Sequence, residues 1–169
     1  KLGRLNDIEV AYVGDGNNVC HSLMLAAALA GSSMVVITPE GFEPDPKVLQ
    51  TARYIAHKTG STLTISNALE SIHGADAVYT DSWVSMGHEH ENTLRLNKFA
   101  AYQVNAQVMA KAKPGAVFMH CLPAHRGVEV TDEVIDSPNS LVYAQAENRM
   151  YTQNAVFVAL LGKKTTTIA

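Results

Sequence analysis

Ile8-Glu9-Val10-Ala11-Tyr12-Val13-Gly14-Asp15-Gly16-Asn17-Asn18-Val19 is the stretch on which the fold turns. Residues 8–13 form a short apolar run with no helical period, and Gly14-Asp15-Gly16 stops it, as expected of a buried strand. Asn17 or Asn18 can cap the helix that follows, since a short side-chain oxygen satisfies amides a helix start leaves open. Residues 19–30 are apolar nearly all round until Gly31 ends them, so this helix is expected in the core. Strand, glycine turn and buried helix together open a βαβ unit.

The same alternation continues outward. Residues 34–37 read as a second strand closed by Thr38-Pro39. Asp45 before Pro46 is an N-cap with a first-turn proline, and Val48, Ala52, Ile55 and Ala56 share one helical face ending before Gly60. A third strand is expected at 62–65, then a short helix at 68–73 with Asn67 as cap and Glu70 at the reciprocal position. Residues 76–80 make a fourth strand that runs into Asp81-Ser82-Trp83-Val84-Ser85-Met86-Gly87. Residues 91–99 are helical in pattern, with Glu91 and Arg95 spaced to pair, and Asn105 can cap a helix through Lys111. Lys113-Pro114-Gly115 turns the chain into an apolar strand that reaches Cys121 and stops at Pro123. A looser segment spans 125–138, a sixth strand is expected at 141–143, and an apolar-faced helix at 148–161 ends at Gly162 before a frayed tail, 163–169. Connections this short leave no room for separate domains. The expected fold is one doubly wound, mostly parallel, Rossmann-like α/β domain over residues 1–162, with helices on both faces.

Composition bounds the function. The chain has 169 residues, a formal net charge of -3 and no basic patch with interleaved aromatics of the kind that reads nucleic acid. The longest apolar stretch, 23–30, is far too short to span a membrane, and no signal-peptide pattern opens the chain. Two cysteines, Cys20 and Cys121, lie far apart in sequence, which suits a reducing compartment such as the cytoplasm better than a disulfide framework.

In an open α/β sheet, ligands sit at the carboxyl ends of the strands. The junctions expected there are Gly14-Asp15-Gly16-Asn17-Asn18, residues 81–87 and His120-Cys121-Leu122-Pro123-Ala124, with Ala146-Glu147-Asn148-Arg149 opening the last helix. They supply a carboxylate, amides, a hydroxyl, a thiol and a guanidinium, enough to fix a small zwitterion and to polarise a carbonyl oxygen. Each residue alone has a plainer reading. Cys121 suits a small buried core position, and Asp81 a solvated strand end. Cys20 is a core residue of its helix, and Glu147 is structural. His120 and Cys121, as strand neighbours, point to opposite faces and are poorly placed to pair. Gly14-Asp15-Gly16 has two of the glycines of a dinucleotide fingerprint, but Val19 takes the third place and no acidic residue ends the second strand. His88-Glu89-His90-Glu91 offers two imidazoles with no third ligand placed by sequence, so a polar loop is expected and no metal.

Taken together, Gly14-Asp15-Gly16-Asn17-Asn18, Asp81-x-Trp83-x-Ser85-Met86-Gly87, His120-Cys121-Leu122-Pro123 and Glu147-Asn148-Arg149 resemble the ornithine carbamoyltransferase family, in its order and over essentially the whole chain. The resemblance implies transfer of the carbamoyl group of carbamoyl phosphate to ornithine, giving citrulline and phosphate in arginine biosynthesis, with no cofactor. It implies that Asn18, Asp81, Ser85 and Met86 hold ornithine, and that Cys121 lies beside the attacking amine. Cys121, Leu122 and Arg149 would contact the carbamoyl group, making Cys121, Arg149 and Asp81 the catalytic set. For a full-length enzyme it implies a trimer or a multiple of trimers. The family's amino-terminal domain carries a Ser-x-Arg-Thr-Arg loop and a histidine motif for carbamoyl phosphate. Neither is in this sequence, which therefore resembles the ornithine-binding domain alone. Tyr151 stands where many members carry histidine. A carbamoyltransferase for another amine, such as putrescine or acetylated ornithine, is the nearest alternative, and a non-catalytic small-ligand module the next.

Overall fold

The structure, a computed structural model, describes residues 1–84 and 92–162. Five strands, β1 (Glu9–Val13), β2 (Ser33–Ile37), β3 (Leu63–Ser66), β4 (Ala77–Thr80) and β5 (Val117–His120), form one sheet in the order β3-β2-β1-β4-β5. All four strand pairings are parallel. The order reverses between β1 and β4, so a crevice opens above their carboxyl ends.

Both faces of the sheet are covered, which is why its strands are nearly continuous apolar runs rather than alternating ones. Val10, Tyr12, Met34 and Val36 face a layer made by α1 (Asn18–Ala30) and α2 (Pro46–Thr59). Ala11, Val13, Val35, Ile37, Val78 and Phe118 face the other layer, which includes Val108 of α4 (Ala106–Met109) and Val134 and Ile135 of α5 (Asp132–Ile135). Between β4 and β5 lie α3 (Asn92–Phe99) and α4, and α6 (Val142–Leu161) closes the chain against β5.

The helix boundaries follow local chemistry. Asn17, not Asn18, caps α1, its side chain accepting from the amides of Val19 and Cys20. Gly31 ends α1 at φ 72, a left-handed conformation that a residue with a Cβ adopts only at a cost. Asp45 caps α2 ahead of Pro46, and Asn105 caps α4, which is shorter than its pattern suggested.

Three expectations fail. Residues 141–143 are not a sixth strand: Ser140 makes one isolated bridge to Phe118, and Val142 already begins α6. Val142 and Tyr143 are β-formers, but two backbone bonds to β5 suffice to dock the segment before the helix starts. Asn67 does not cap a helix with Glu70. Its side chain donates to the Thr38 carbonyl, and residues Leu69–Ile72 form a 3-10 turn without a side-chain cap. Arg149 does not open the last helix; it lies two turns inside α6. The expected partner of Arg95, Glu91, lies outside the described residues, as do the 85–90 loop and the 163–169 tail. Among the described residues no helix is long and apolar enough to cross a membrane.

Candidate functional site

The crevice above β1 and β4 gathers three of the four junctions. Asp81 leaves β4 at the crevice and is buried, which for a carboxylate demands strong partners. Its Oδ2 accepts from Asn17 Nδ2 at 2.9 Å. Its Oδ1 accepts from the Ser82 amide at 2.8 Å and from the Cys121 thiol at 2.9 Å. Asn17 therefore does two things at once, capping α1 with its oxygen and holding Asp81 with its nitrogen. The capping reading of the sequence missed the second role, which only the pairing of β1 with β4 creates.

Cys121 is half-buried at the end of β5. Burial, then the hydrogen bond to Asp81 and its charge, push its pKa up to about 12. At neutral pH it is a thiol, and it donates to Asp81. Tyr79, on the adjoining strand, accepts from Gln145 of α6 at 3.0 Å, which ties α6 to the crevice. Leu122 follows with φ 59, and a cis peptide joins it to Pro123.

Asp15, between the two glycines, is paired with Arg95 of α3 at 2.6 Å, and the same guanidinium reaches the Trp83 carbonyl at 3.2 Å. Trp83 is buried and stacks on Phe99 at 5.8 Å between ring centroids. The first and second junctions are thus pinned to α3 from below.

Of the residues singled out by sequence, Asp81 and Cys121 are brought into direct contact. Asn18 is exposed in the first turn of α1, one residue beyond the side chain that reaches Asp81. Arg149 is exposed on α6 and lines, with Cys121 and Leu122, two clefts of about 950 and 520 Å³ beside the thiol loop. Ser85 and Met86 lie outside the described residues, as do His88 and His90. Cys20 is fully buried, and burial raises its pKa well above the ordinary thiol value, which fits its reading as core. Glu147 is exposed and accepts from Tyr151 on the same helix at 3.3 Å. Among the described residues no group of histidine, cysteine and carboxylate side chains could hold a metal ion.

The glycine loop is closed to a diphosphate. A Cβ at Gly16 would stand 2.3 Å from the Pro44 nitrogen and 2.6 Å from the Phe42 carbonyl oxygen. The chain's own backbone occupies the approach that the second glycine of a dinucleotide fingerprint leaves open, and the Gly16 amide is spent on Phe42 at 2.9 Å. The arrangement suits a small amino acid: a buried carboxylate for an ammonium, neutral donors around it, and a cation across the cleft.

Comparison with known proteins agrees with that geometry. The family model described as "Aspartate/ornithine carbamoyltransferase, Asp/Orn binding domain" matches residues 6–160. The chain is 50% identical over 163 residues to an ornithine carbamoyltransferase of Thermococcus kodakarensis, covering 96% of this chain and 52% of that protein. It is 53% identical over 163 residues to that of Methanothermobacter thermautotrophicus, covering 96% and 54%. The solved ornithine carbamoyltransferase of Pyrococcus furiosus superposes with a TM-score of 0.91 at 50% identity, covering 95% of this chain and 51% of that one. The chain spans about half the length of the curated relatives it matches.

Proposed function

The chain belongs to the aspartate/ornithine carbamoyltransferase family through its Asp/Orn-binding domain, and from that premise we propose that it is the ornithine-binding half of an ornithine carbamoyltransferase. The observation that carries the reading is the buried Asp81 carboxylate, held by Asn17 and Cys121 at the point where the strand order reverses. A carboxylate with that environment is matched to the α-ammonium of a free amino acid, since an ion pair adds charge attraction to the hydrogen bond.

The chemistry follows from where charge develops. Ornithine's side-chain amine must lose a proton before it attacks the carbamoyl carbon. That proton passes to solvent, the nitrogen bonds to the carbamoyl carbon as the carbon–oxygen bond to phosphate breaks, and Cys121, a neutral thiol beside Asp81, lies next to the attacking nitrogen without being consumed. The raised pKa keeps Cys121 a neutral thiol, so it acts as a hydrogen-bonding partner rather than as a thiolate base. The carbonyl oxygen becomes anionic in the tetrahedral transition state. Arg149, facing the cleft lined by Leu122, would stabilise it, and one such donor is typically worth ~3 kcal/mol of barrier. Ornithine contacts from Asn18, Ser85 and Met86 belong to the same proposal. So do phosphate binding by the family's other domain, citrulline as product in arginine biosynthesis, a cytoplasmic setting and a trimeric enzyme.

The test is a pair of measurements. L-ornithine should perturb the amide resonances of Asn17, Ser82 and Leu122 saturably in this chain, while putrescine and an adenine dinucleotide should not. Citrulline should form only when a carbamoyl-phosphate-binding domain from a relative is supplied. Citrulline at an enzyme-like rate from these 169 residues alone would overturn the half-enzyme reading, and a saturable response to the dinucleotide alone would overturn the substrate class.

A further inference from the structure

Beneath the thiol loop lies a second buried carboxylate that the proposed chemistry does not use. Glu129 and His120 are both fully buried, a costly arrangement for ionisable groups unless it holds something in place. The His120 Nδ1 accepts the Leu122 amide hydrogen at 2.8 Å, so in the neutral ring the proton sits on Nε2. That nitrogen lies 3.3 Å from Glu129 Oε1, a close approach outside hydrogen-bond geometry, and it has no other hydrogen-bond partner among the described residues. The same oxygen accepts the backbone N–H of His125, and His125 Nδ1 is 3.5 Å away. One carboxylate oxygen therefore faces a ring that grips the loop just after its start and the amide at its end. Between those points stand Cys121, Leu122, Pro123 and Ala124.

The loop needs such a grip. Leu122 has φ 59, a region that side chains with a Cβ enter at a cost, and Leu122 is not a residue that stabilises it locally. Its N–H is held by His120, and the ring's orientation is set by what its other nitrogen meets. Glu129 is itself braced: its carbonyl accepts from the Val104 amide at 2.9 Å, and its neighbour Val130 bridges to both Val104 and Arg126.

We propose that Glu129 is a positioning residue of the amino-acid site, acting through the His120 ring and the His125 amide to hold the Cys121–Leu122 backbone in its ligand-binding conformation. The proposal rests on the ornithine reading for its ligand but not for its geometry, and the experiment separates the two. The variants are Glu129→Gln, which keeps an oxygen for the His125 amide and facing the His120 ring, and Glu129→Ala, which does not. Three quantities are read on the full chain: imidazole nitrogen shifts of His120, hydrogen exchange of the Leu122 amide, and the dissociation constant for L-ornithine.

In the unmodified chain His120 should carry its proton on Nε2, with the Leu122 amide protected. Glu129→Ala should raise both Leu122 exchange and the ornithine dissociation constant about tenfold, the scale of one lost buried hydrogen bond. Glu129→Gln should restore both to within about threefold, because the acceptor rather than the charge does the holding. Unchanged Leu122 protection in Glu129→Ala, or a Gln variant as impaired as the Ala variant, overturns the proposal. If Glu129→Ala does not fold, the unmodified chain decides: a proton on His120 Nδ1 overturns it. Absence of ornithine binding in the unmodified chain counts against the substrate reading alone, since the tautomer and exchange readouts still judge the positioning.

Discussion

Cys121 and Asp81 share a hydrogen bond whose direction has consequences at the bench. Because the thiol's pKa is pushed up to about 12, Cys121 should alkylate slowly with iodoacetamide at pH 8. Asp81→Asn removes the charge and the strong acceptor that raise it, so the variant should alkylate faster at that pH in a Cys20→Ala background. No acceleration would mean that burial alone sets the thiol's state. The same substitution should weaken ornithine binding by about 1.5–3 kcal/mol, the worth of a hydrogen bond to a charged group, while leaving carbamoyl phosphate binding in a two-domain preparation nearly intact. Equal weakening of both ligands would make Asp81 a support of the site rather than a reader of the amino acid. The thiols also set a pH dependence. Both cysteines titrate higher in the fold than in the unfolded chain, where the value is 9.0, so unfolding releases protons once pH passes 9.0. Stability should therefore be independent of these groups below that pH and fall as pH rises from there to about 12, measured by urea midpoints; a flat profile would contradict the raised pKa values.

Elements are joined to the crevice by two devices. The first is the Asp15–Arg95 pair, whose side chains are 12% and 8% exposed, which fastens the glycine loop to α3. Arg95→Met should cost about 3–5 kcal/mol in urea unfolding, since it leaves a buried carboxylate without its cation. A loss under about 1 kcal/mol would show that water reaches Asp15 and that the pair is worth no more than an exposed one. The second device is Gly16, against which residues 42–44 pack too closely for any side chain. Gly16→Ala must push the 42–44 segment outward, and with it the start of α2, so it should destabilise the fold although it adds only a methyl group. A variant as stable as the parent would show that 42–44 yields freely.

On the scale of the molecule, one face is left open. Phe157, Leu160 and Leu161 of α6 are 61%, 76% and 77% exposed. On the layer covered by α1 and α2, the β4–β5 side of the sheet instead lines an apolar cleft of about 610 Å³ with Leu2, Leu5 and Tyr79. Exposed apolar surface at these two places favours association. Sedimentation equilibrium of the chain should show mass rising with concentration, and Phe157→Ser with Leu160→Ser should suppress it. A monomer at all concentrations would mean that α6 folds back onto the open face in solution.

The order of β1 to β5 and of α1 to α4 was legible in the sequence because each announces itself locally, whereas α5 lies in a segment that reads as loose. A residue such as Asn17, Gly31, Asp45 or Gly60 marks a boundary, and the apolar runs of β1, β2, β4 and β5 have no polar alternation to confuse with a surface strand. Asp81 and Cys121 were legible too, since each directly follows a strand. What failed was what local pattern cannot carry. Val142 and Tyr143 favour a strand by propensity, yet join a helix because β5 offers only a short edge there. Arg149 consequently sits within a helix rather than at its start. The second role of Asn17, the pairing of Asp15 with Arg95 and the grip of Glu129 on the thiol loop join residues 64, 80 and at most 9 positions apart. Only the parallel registry of β1, β4 and β5, set by burial on both sheet faces, decides which side chains meet; the sequence alone determines which side chains are available to do so.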